Sequence, residues 1–277
     1  MRDREGRTVA VHLVVAVGAL VMVAPVYLLF VHASHTRAEI FTMPPPVLPG
    51  GALRMNWAIA LRQFAFADNL ASSVYVAILQ TAATLLVCSM AGHAFATFTF
   101  PFKRPLFAVV LSAMLVSPVL YALPAVIGML QLDWLDRPFT VWLPGAASAL
   151  GVLFLRRYIA SMVPRQLIEA ARCDGCSEWR IYWSVVLPLI RPALLVLGTV
   201  AFAGAWNSFS GPFFMLRTES RYTLPLALRS MQNEGNTPWG AMMLVATLML
   251  LPLLLLFAFT FRRLVDAVAV AARRTPT

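Results

Sequence analysis

The residues able to do chemistry in this 277-residue sequence are few and scattered. Cys173-Asp174-Gly175-Cys176 has the spacing of a redox pair or of half a zinc site. A structural zinc site takes four ligands, and no histidine or further cysteine lies near in the sequence, so the two cysteines read as small residues of a turn. His12, His32, His35 and His93 do not cluster. The apolar runs offer no paired carboxylates, no His-Asp pair and no metal-spaced set, which argues against an intramembrane enzyme. No Gly-x-x-x-x-Gly-Lys-Ser/Thr pattern occurs, so the chain has no phosphate loop of its own, and no cofactor or metal is expected. The informative residues are polar rather than reactive. Gln80, His93, Asn207 and Ser208 fall inside apolar runs, where facing lipid is costly, so they are expected to face the bundle or a pathway. Trp206 and Asn207 set an aromatic face beside an amide, as carbohydrate sites do; a tie between two helices is the competing reading for Asn207.

The elements that position these residues follow from composition. The chain is 60% apolar and 12% charged, against about 45–50% and 25% in soluble domains, so its main solvent is lipid. A core of about 30 Å takes about 20 apolar residues in a helix rising about 1.5 Å each. Six such runs occur, at about residues 9–31, 70–98, 106–132, 139–155, 193–216 and 241–261. Pro118 and Pro124 interrupt the third and Pro144-Gly145 the fourth, which predicts kinked spans facing protein or a water-filled path. The first run is too long for a signal-peptide core, and five more follow it.

Alternating the loops puts fifteen Lys and Arg on one side, among them Arg2, Lys103, Arg156, Arg172 and Arg262, and seven on the other, among them Arg37, Arg137 and Arg221. Positive charge accumulates on the cytoplasmic side, so both termini are expected there. That asymmetry accounts for the net charge of +10 without a nucleic-acid partner. On the outer side, residues 32–69 contain Pro44-Pro45-Pro46 and Pro49-Gly50-Gly51, which favour extended and turn conformations, with a short surface helix at about 56–66. Asp133, Asp136, Glu219 and Glu234 fall in outer loops and read as solvated, a minority being available to a docked protein.

Residues 156–192 form the one long inward loop, and their pattern predicts two short helices around a turn. Pro164 suits a first helical turn, Leu167, Ile168 and Ala171 make an apolar stripe, and Asp174-Gly175 is a stop signal. Ser177 caps a second helix, Glu178-Trp179-Arg180-Ile181-Tyr182-Trp183, which runs along the membrane surface until Pro188 and Pro192 turn it into the fifth span.

Glu169-Ala170-Ala171, Gly175, Val185 and Leu187-Pro188, at their spacing, resemble the EAA loop of the permease subunits of bacterial ABC importers. Asp174, Trp179 and Leu187-Pro188-Leu189-x-x-Pro192 are similar to the carbohydrate-uptake branch, in particular the smaller permease of a two-permease pair such as the maltose importer's. Asn69, Phe100-Pro101-x-Lys103, Trp206-Asn207-x-Phe209-x-x-Pro212 and Thr223-Leu224-Pro225 also match that branch, so the resemblance covers nearly the whole chain. Val185 stands where the family usually has Ile, Cys176 where it usually has Ala, and Ala267 to Thr277 replace its Gly-rich tail.

The resemblance implies an all-α membrane protein, residues 1–277 forming a single transmembrane domain of six helices with the coupling loop between the fourth and fifth. It implies that Glu169, Ala170, Ala171, Asp174, Gly175, Leu187 and Pro188 couple to an ATPase in trans, the segment from Glu169 to Gly175 docking in its cleft. Small alanines allow close approach there, Glu169 offers a charged pair and Gly175 fixes the turn. The implied partners are a second homologous permease, two ATP-binding subunits or one homodimeric ATPase, and an extracytoplasmic solute-binding protein. The implied cargo is a sugar or sugar-like solute crossing a bacterial inner membrane, with glycerol phosphate esters as the rival cargo. A phosphorylated solute wants Arg or Lys in its path, and none lies deep in a run.

Overall fold

A computed structural model describes residues 2–63, 65–232 and 237–273. Every regular element among them is helical. In chain order these are α1 (Arg2–Ala33), α2 (Arg37–Ile40), α3 (Leu53–Gln63), α4 (Phe66–Thr97), α5 (Lys103–Ser112), α6 (Pro118–Gln131), α7 (Phe139–Gly145), α8 (Ala149–Met162), α9 (Arg165–Cys173), α10 (Glu178–Ile181), α11 (Leu187–Leu189), α12 (Arg191–Trp206), α13 (Ser210–Met215), α14 (Leu224–Ser230) and α15 (Trp239–Arg273). Three stretches are long and apolar enough to cross a membrane unaided: Val11–Ala33, Phe66–Thr97 and Trp239–Thr260. Up to six spans result if each of three bent pairs, α5–α6, α7–α8 and α10–α12, is one span.

The first, second and sixth apolar runs of the sequence fall on α1, α4 and α15. The third and fourth fall on bent pairs and the fifth on α12 and α13, beyond the third bend; the bends have a reason in backbone chemistry. Proline gives no N–H to the helical ladder and crowds the preceding turn, so chain direction changes near Pro118, Pro144 and Pro192. The fourth run extends beyond the expected end, α8 continuing to Met162, whereas α12 stops at Trp206, short of the expected end of the fifth run. The short helix expected at about 56–66 starts earlier, as α3 at Leu53, and α4 begins at Phe66 rather than residue 70.

The chain divides into two compact units, residues 1–66 with 227–252 and residues 67–226 with 253–277. In the first, the Asn56 amide on α3 donates to the Ala33 and His35 carbonyls at 2.8 and 2.9 Å, tying α3 to the end of α1. Thr36 and Glu39 form a capping box that starts α2. Leu13, Val14, Leu20 and Met22 of α1 are exposed, as side chains facing lipid must be.

The second unit has two apolar clusters. One gathers Cys88 from α4, Val152, Leu155 and Ile159 from α8, Ile168, Ile181, Val186 and Ile190 from the inward loop, and Ala193 and Leu197 from α12. The other joins Val76, Val141, Met215, Leu216 and Leu226.

Asp136 is not a solvated loop acid, in contrast to its sequence reading. It adopts φ +62°, tolerable for Asp, and its carboxylate accepts from the Arg217 and Thr218 backbone N–H groups at 2.8 and 2.9 Å. It also accepts from the Thr218 hydroxyl at 2.6 Å and from Arg221 Nη1 at 3.1 Å. The same segment is held from α4, where the Asn69 amide donates to the Glu219 and Tyr222 carbonyls and Ser73 Oγ accepts from Leu224 N–H. Glu234, grouped with Asp136 in the sequence, lies outside the described residues, as do the last four residues of the tail.

Burial pushes the Asp136 carboxyl up, but the bonds from Thr218 and Arg217 and the charge of Arg221 outweigh it, leaving the group below its ordinary value. A depressed pKa stabilises the fold above the unfolded value of 3.8, and that stabilisation disappears as pH falls through the folded value. Asp136→Ala should therefore cost the purified protein about 1.5 kcal/mol near neutrality, the lower end for bonds to a charged acceptor because Arg221 is half exposed. Thermal unfolding should show the gap from wild type closing as pH falls below 3.8 and on through the depressed folded value.

Candidate functional site

The segment 156–192 carries an anchored helix with one open face. On α9, Ile168 is buried and Ala171 half-buried, one turn apart, against the cluster built by Leu155, Ile159 and Val163. Leu167 breaks the expected stripe: it sits about 100° round the helix from Ile168 and is 43% exposed. The exposed face also holds Glu169 and Ala170.

The helix ends in a Schellman turn. Cys176 N–H donates to the Ala171 carbonyl at 3.0 Å and Gly175 N–H to the Arg172 carbonyl at 3.0 Å, with Gly175 at φ +76°. Asp174 precedes it, exposed, and Cys176 packs against the core beside Ala171, supplying the apolar contact this turn carries. That gives Cys176 a packing role, while Cys173 is exposed. Among the described residues no group of three or more His, Cys, Asp or Glu could hold a metal ion.

Ser177 Oγ then accepts from Arg180 N–H at 3.3 Å and starts α10, and Glu178 pairs with Arg172 at 2.6 Å. The Glu178 carboxylate bonded to Arg172 raises the pKa of that guanidinium further. The chain widens into a π turn at Tyr182–Val186, just before Pro188, which cannot donate to an α-helical ladder. Tyr182 is buried with its hydroxyl 2.7 Å from Ser89 Oγ of α4, while Trp179 and Trp183 stay exposed. Leu187 and Pro188, both half-buried, form α11, and a 79° bend leads into α12.

Basic residues brace this end. Lys103 Nζ donates to the Phe98 carbonyl at 2.6 Å, and Arg156 lies 4.0 Å over the Phe107 ring while its Nε donates to the Phe95 carbonyl.

The polar residues flagged inside the apolar runs separate in space. Gln80 and Ser208 line a cavity of about 250 Å³ bounded by α4, α6, α7 and α13. Trp206 is buried and stacks on Phe202, 5.9 Å between ring centroids. Asn207 is exposed and its amide donates to the Ala203 carbonyl of its own helix at 2.9 Å. His93 is buried between Phe98 and Tyr182. Tyr121, Thr140 and Ser210 also line the cavity and were missed in the sequence, where only the flanking Pro118, Pro124 and Pro144 signalled it.

Long apolar helices, others broken at prolines, and an amphipathic helix packed against them make up a multi-span membrane protein. Residues 89–270 match the family described as binding-protein-dependent transport system inner membrane component, and the chain belongs to that family. In it, ATP hydrolysis is carried out by separate ATPase subunits. The sn-glycerol-3-phosphate transport system permease protein UgpE of Yersinia enterocolitica is 27% identical, over 96% of this chain and 99% of the relative. The arabinooligosaccharides transport system permease protein AraQ of Halalkalibacterium halodurans is 28% identical over 72% of this chain and 71% of its own. A bacterial ABC transporter involved in the import of the acidic polysaccharide alginate shares the fold, with TM-score 0.81 at 18% identity over 95% of this chain and 98% of that one.

Gly175→Val puts a β-branched residue at a positive φ, a local strain of about 1–3 kcal/mol. Solute uptake should collapse in proteoliposomes while membrane insertion persists. Normal substrate-stimulated ATPase activity in the purified variant complex would refute a coupling role for this turn.

Proposed function

We propose that this chain is the smaller permease of an importer that moves a sugar or sugar-like solute into the cytoplasm. It pairs with a second homologous permease, two ATP-binding subunits or one homodimeric ATPase, and an extracytoplasmic solute-binding protein. The reading takes residues 1–277 as one transmembrane domain of six spans, residues 156–192 as its coupling loop, and both termini as cytoplasmic. The observation that carries it is the inward loop. Ile168 and Ala171 fasten α9 to the cluster that includes α12, and the opposite face, with Glu169 and Ala170, is free for another protein. A push on that face passes through packed side chains into the spans, because a close-packed core transmits strain. In this role Glu169, Ala170 and Ala171 meet the ATPase, Asp174 and Gly175 make the turn, and Leu187 and Pro188 pass the motion to α12.

A sugar-like cargo is supported by relatives named for arabinooligosaccharides and alginate. A glycerol phosphate ester is the second reading, favoured by relatives named for sn-glycerol-3-phosphate. The cavity in this subunit has no Lys or Arg in its lining, which supports the neutral cargo. Trp206 and Asn207 are assigned to the path.

The isolated subunit should bind no nucleotide, since it lacks a phosphate loop; saturable ATP binding by titration calorimetry in detergent would overturn the assignment. If Asn207 meets solute, Asn207→Ala should shift apparent uptake affinity or sugar preference by about 0.5–1.5 kcal/mol with the complex intact. A lower yield of complex with unaltered selectivity would make it a helix tie instead. Uptake that requires binding protein, both permeases and ATP in proteoliposomes is the test of the whole reading.

A further inference from the structure

The cavity on Gln80 holds polar groups that no side chain or backbone group among the described residues bonds. Gln80, Tyr121, Ser208 and Ser210 all line it, and none of their side chains makes a hydrogen bond to another described residue. By contrast, Thr140 on the same wall is already spent on the Arg137 carbonyl at 2.6 Å. Gln80 and Ser208 are half-buried and Tyr121 and Ser210 exposed, so their amide and hydroxyls stand open to water or to a ligand in this space. Four of them converging on one space is the pattern of a site with a hydroxyl-rich occupant. The lining contains no acidic or basic side chain, so the occupant is uncharged. Tyr121 and Phe214 add aromatic surface, suited to the C–H face of a sugar ring. At about 250 Å³ the space falls below the roughly 300–1,000 Å³ of drug-sized sites, which fits one ring and not a chain of them.

Its geometry is built rather than accidental. The Gln80 amide rests against Gly145, where a Cβ would strike it, so the break after α7 makes room for the amide to face the cavity. Thr84 Oγ1 donates to the Gly145 carbonyl at 3.1 Å and fixes that break against α4.

We propose that this cavity is a solute subsite within this subunit, holding a single uncharged sugar ring during transport through hydrogen bonds to Gln80, Tyr121, Ser208 and Ser210. The inference rests on the sugar-import reading and places a ring within this chain itself. Gln80 is the specificity-determining residue, since its amide both donates and accepts.

The test uses the complete importer in proteoliposomes, with Cys88, Cys173 and Cys176 replaced, any partner cysteines removed, and Ser210→Cys introduced. Labelled neutral mono-, di- and trisaccharides and sn-glycerol 3-phosphate are first screened for uptake. The neutral sugar taken up should slow maleimide labelling of the new cysteine about tenfold, and sn-glycerol 3-phosphate should not. Adding Gln80→Leu should abolish that protection while leaving the sugar-free labelling rate unchanged. Ser220→Cys, on the outer loop, should label equally with and without sugar. Ser208→Cys repeats the measurement if the Ser210 variant assembles poorly. A transported neutral sugar that protects neither position, or protection that survives Gln80→Leu, overturns the subsite and leaves the import reading standing. Cysteines that stay unreactive in every nucleotide state also overturn it. Uptake of sn-glycerol 3-phosphate alone overturns the sugar-import reading and the subsite together.

Discussion

A backbone group stranded in hydrocarbon has no water to bond, so every break in a spanning helix must be mended by a neighbour. In this protein the mending falls to α4. Asn69, Ser73, Thr84 and Cys88 follow one another at near-helical spacing and share one buried side, and Ser89, a residue further round, is buried as well. Asn69 and Ser73 bond the backbone of 219–224, Thr84 the carbonyl that ends α7, and Cys88 Sγ the Ser148 carbonyl at 3.4 Å. Ser89 reaches the Tyr182 hydroxyl in the inward loop. The opposite side of α4, with Tyr75, Ile78, Leu86 and Met90, is exposed and apolar. One unbroken helix thus allows the α7–α8 pair beside it to be broken, and the space at that break is the cavity.

The inward loop is organised on a different principle. Its own turns are closed by backbone bonds and caps, so α9 keeps its shape, while Ile168 provides the apolar attachment to the spans. A loop rigid in itself thus stands on a small buried foot. The π turn and the bend at Ile190 change the direction of the chain where the loop meets α12, and Val186 and Ile190 at that corner are both fully buried.

Much of this was legible in the residues. Apolar run length marked α1, α4 and α15, and proline position marked where the other runs break, because both act locally. Asp174-Gly175 announced a helix end, and the turn there has the expected left-handed glycine. Asp136 was not legible: its partners at 217, 218 and 221 are 81 to 85 residues away, and an acid in a polar loop looks the same whether solvated or buried in bonds. Leu167 was misjudged because an apolar residue beside Ile168 extends a stripe on paper, while a turn of about 100° per residue carries it to the open face. The cavity hydroxyls were invisible for the same reason as Asp136, since Tyr121 and Ser210 come together only through tertiary folding.

The long reach of the α4 bonds has a consequence for biogenesis. Their acceptors and donors lie 60 to 153 residues farther along the chain. At about 5–20 residues per second, the ribosome needs on the order of ten seconds after making Asn69 to deliver Tyr222. For that interval the bonds from Asn69, Ser73, Thr84 and Cys88 to later segments are unmade. The order in which the chain is made and the order in which the bonds of α4 can close are therefore different: the helix is translated early, and its last partner arrives 153 residues later.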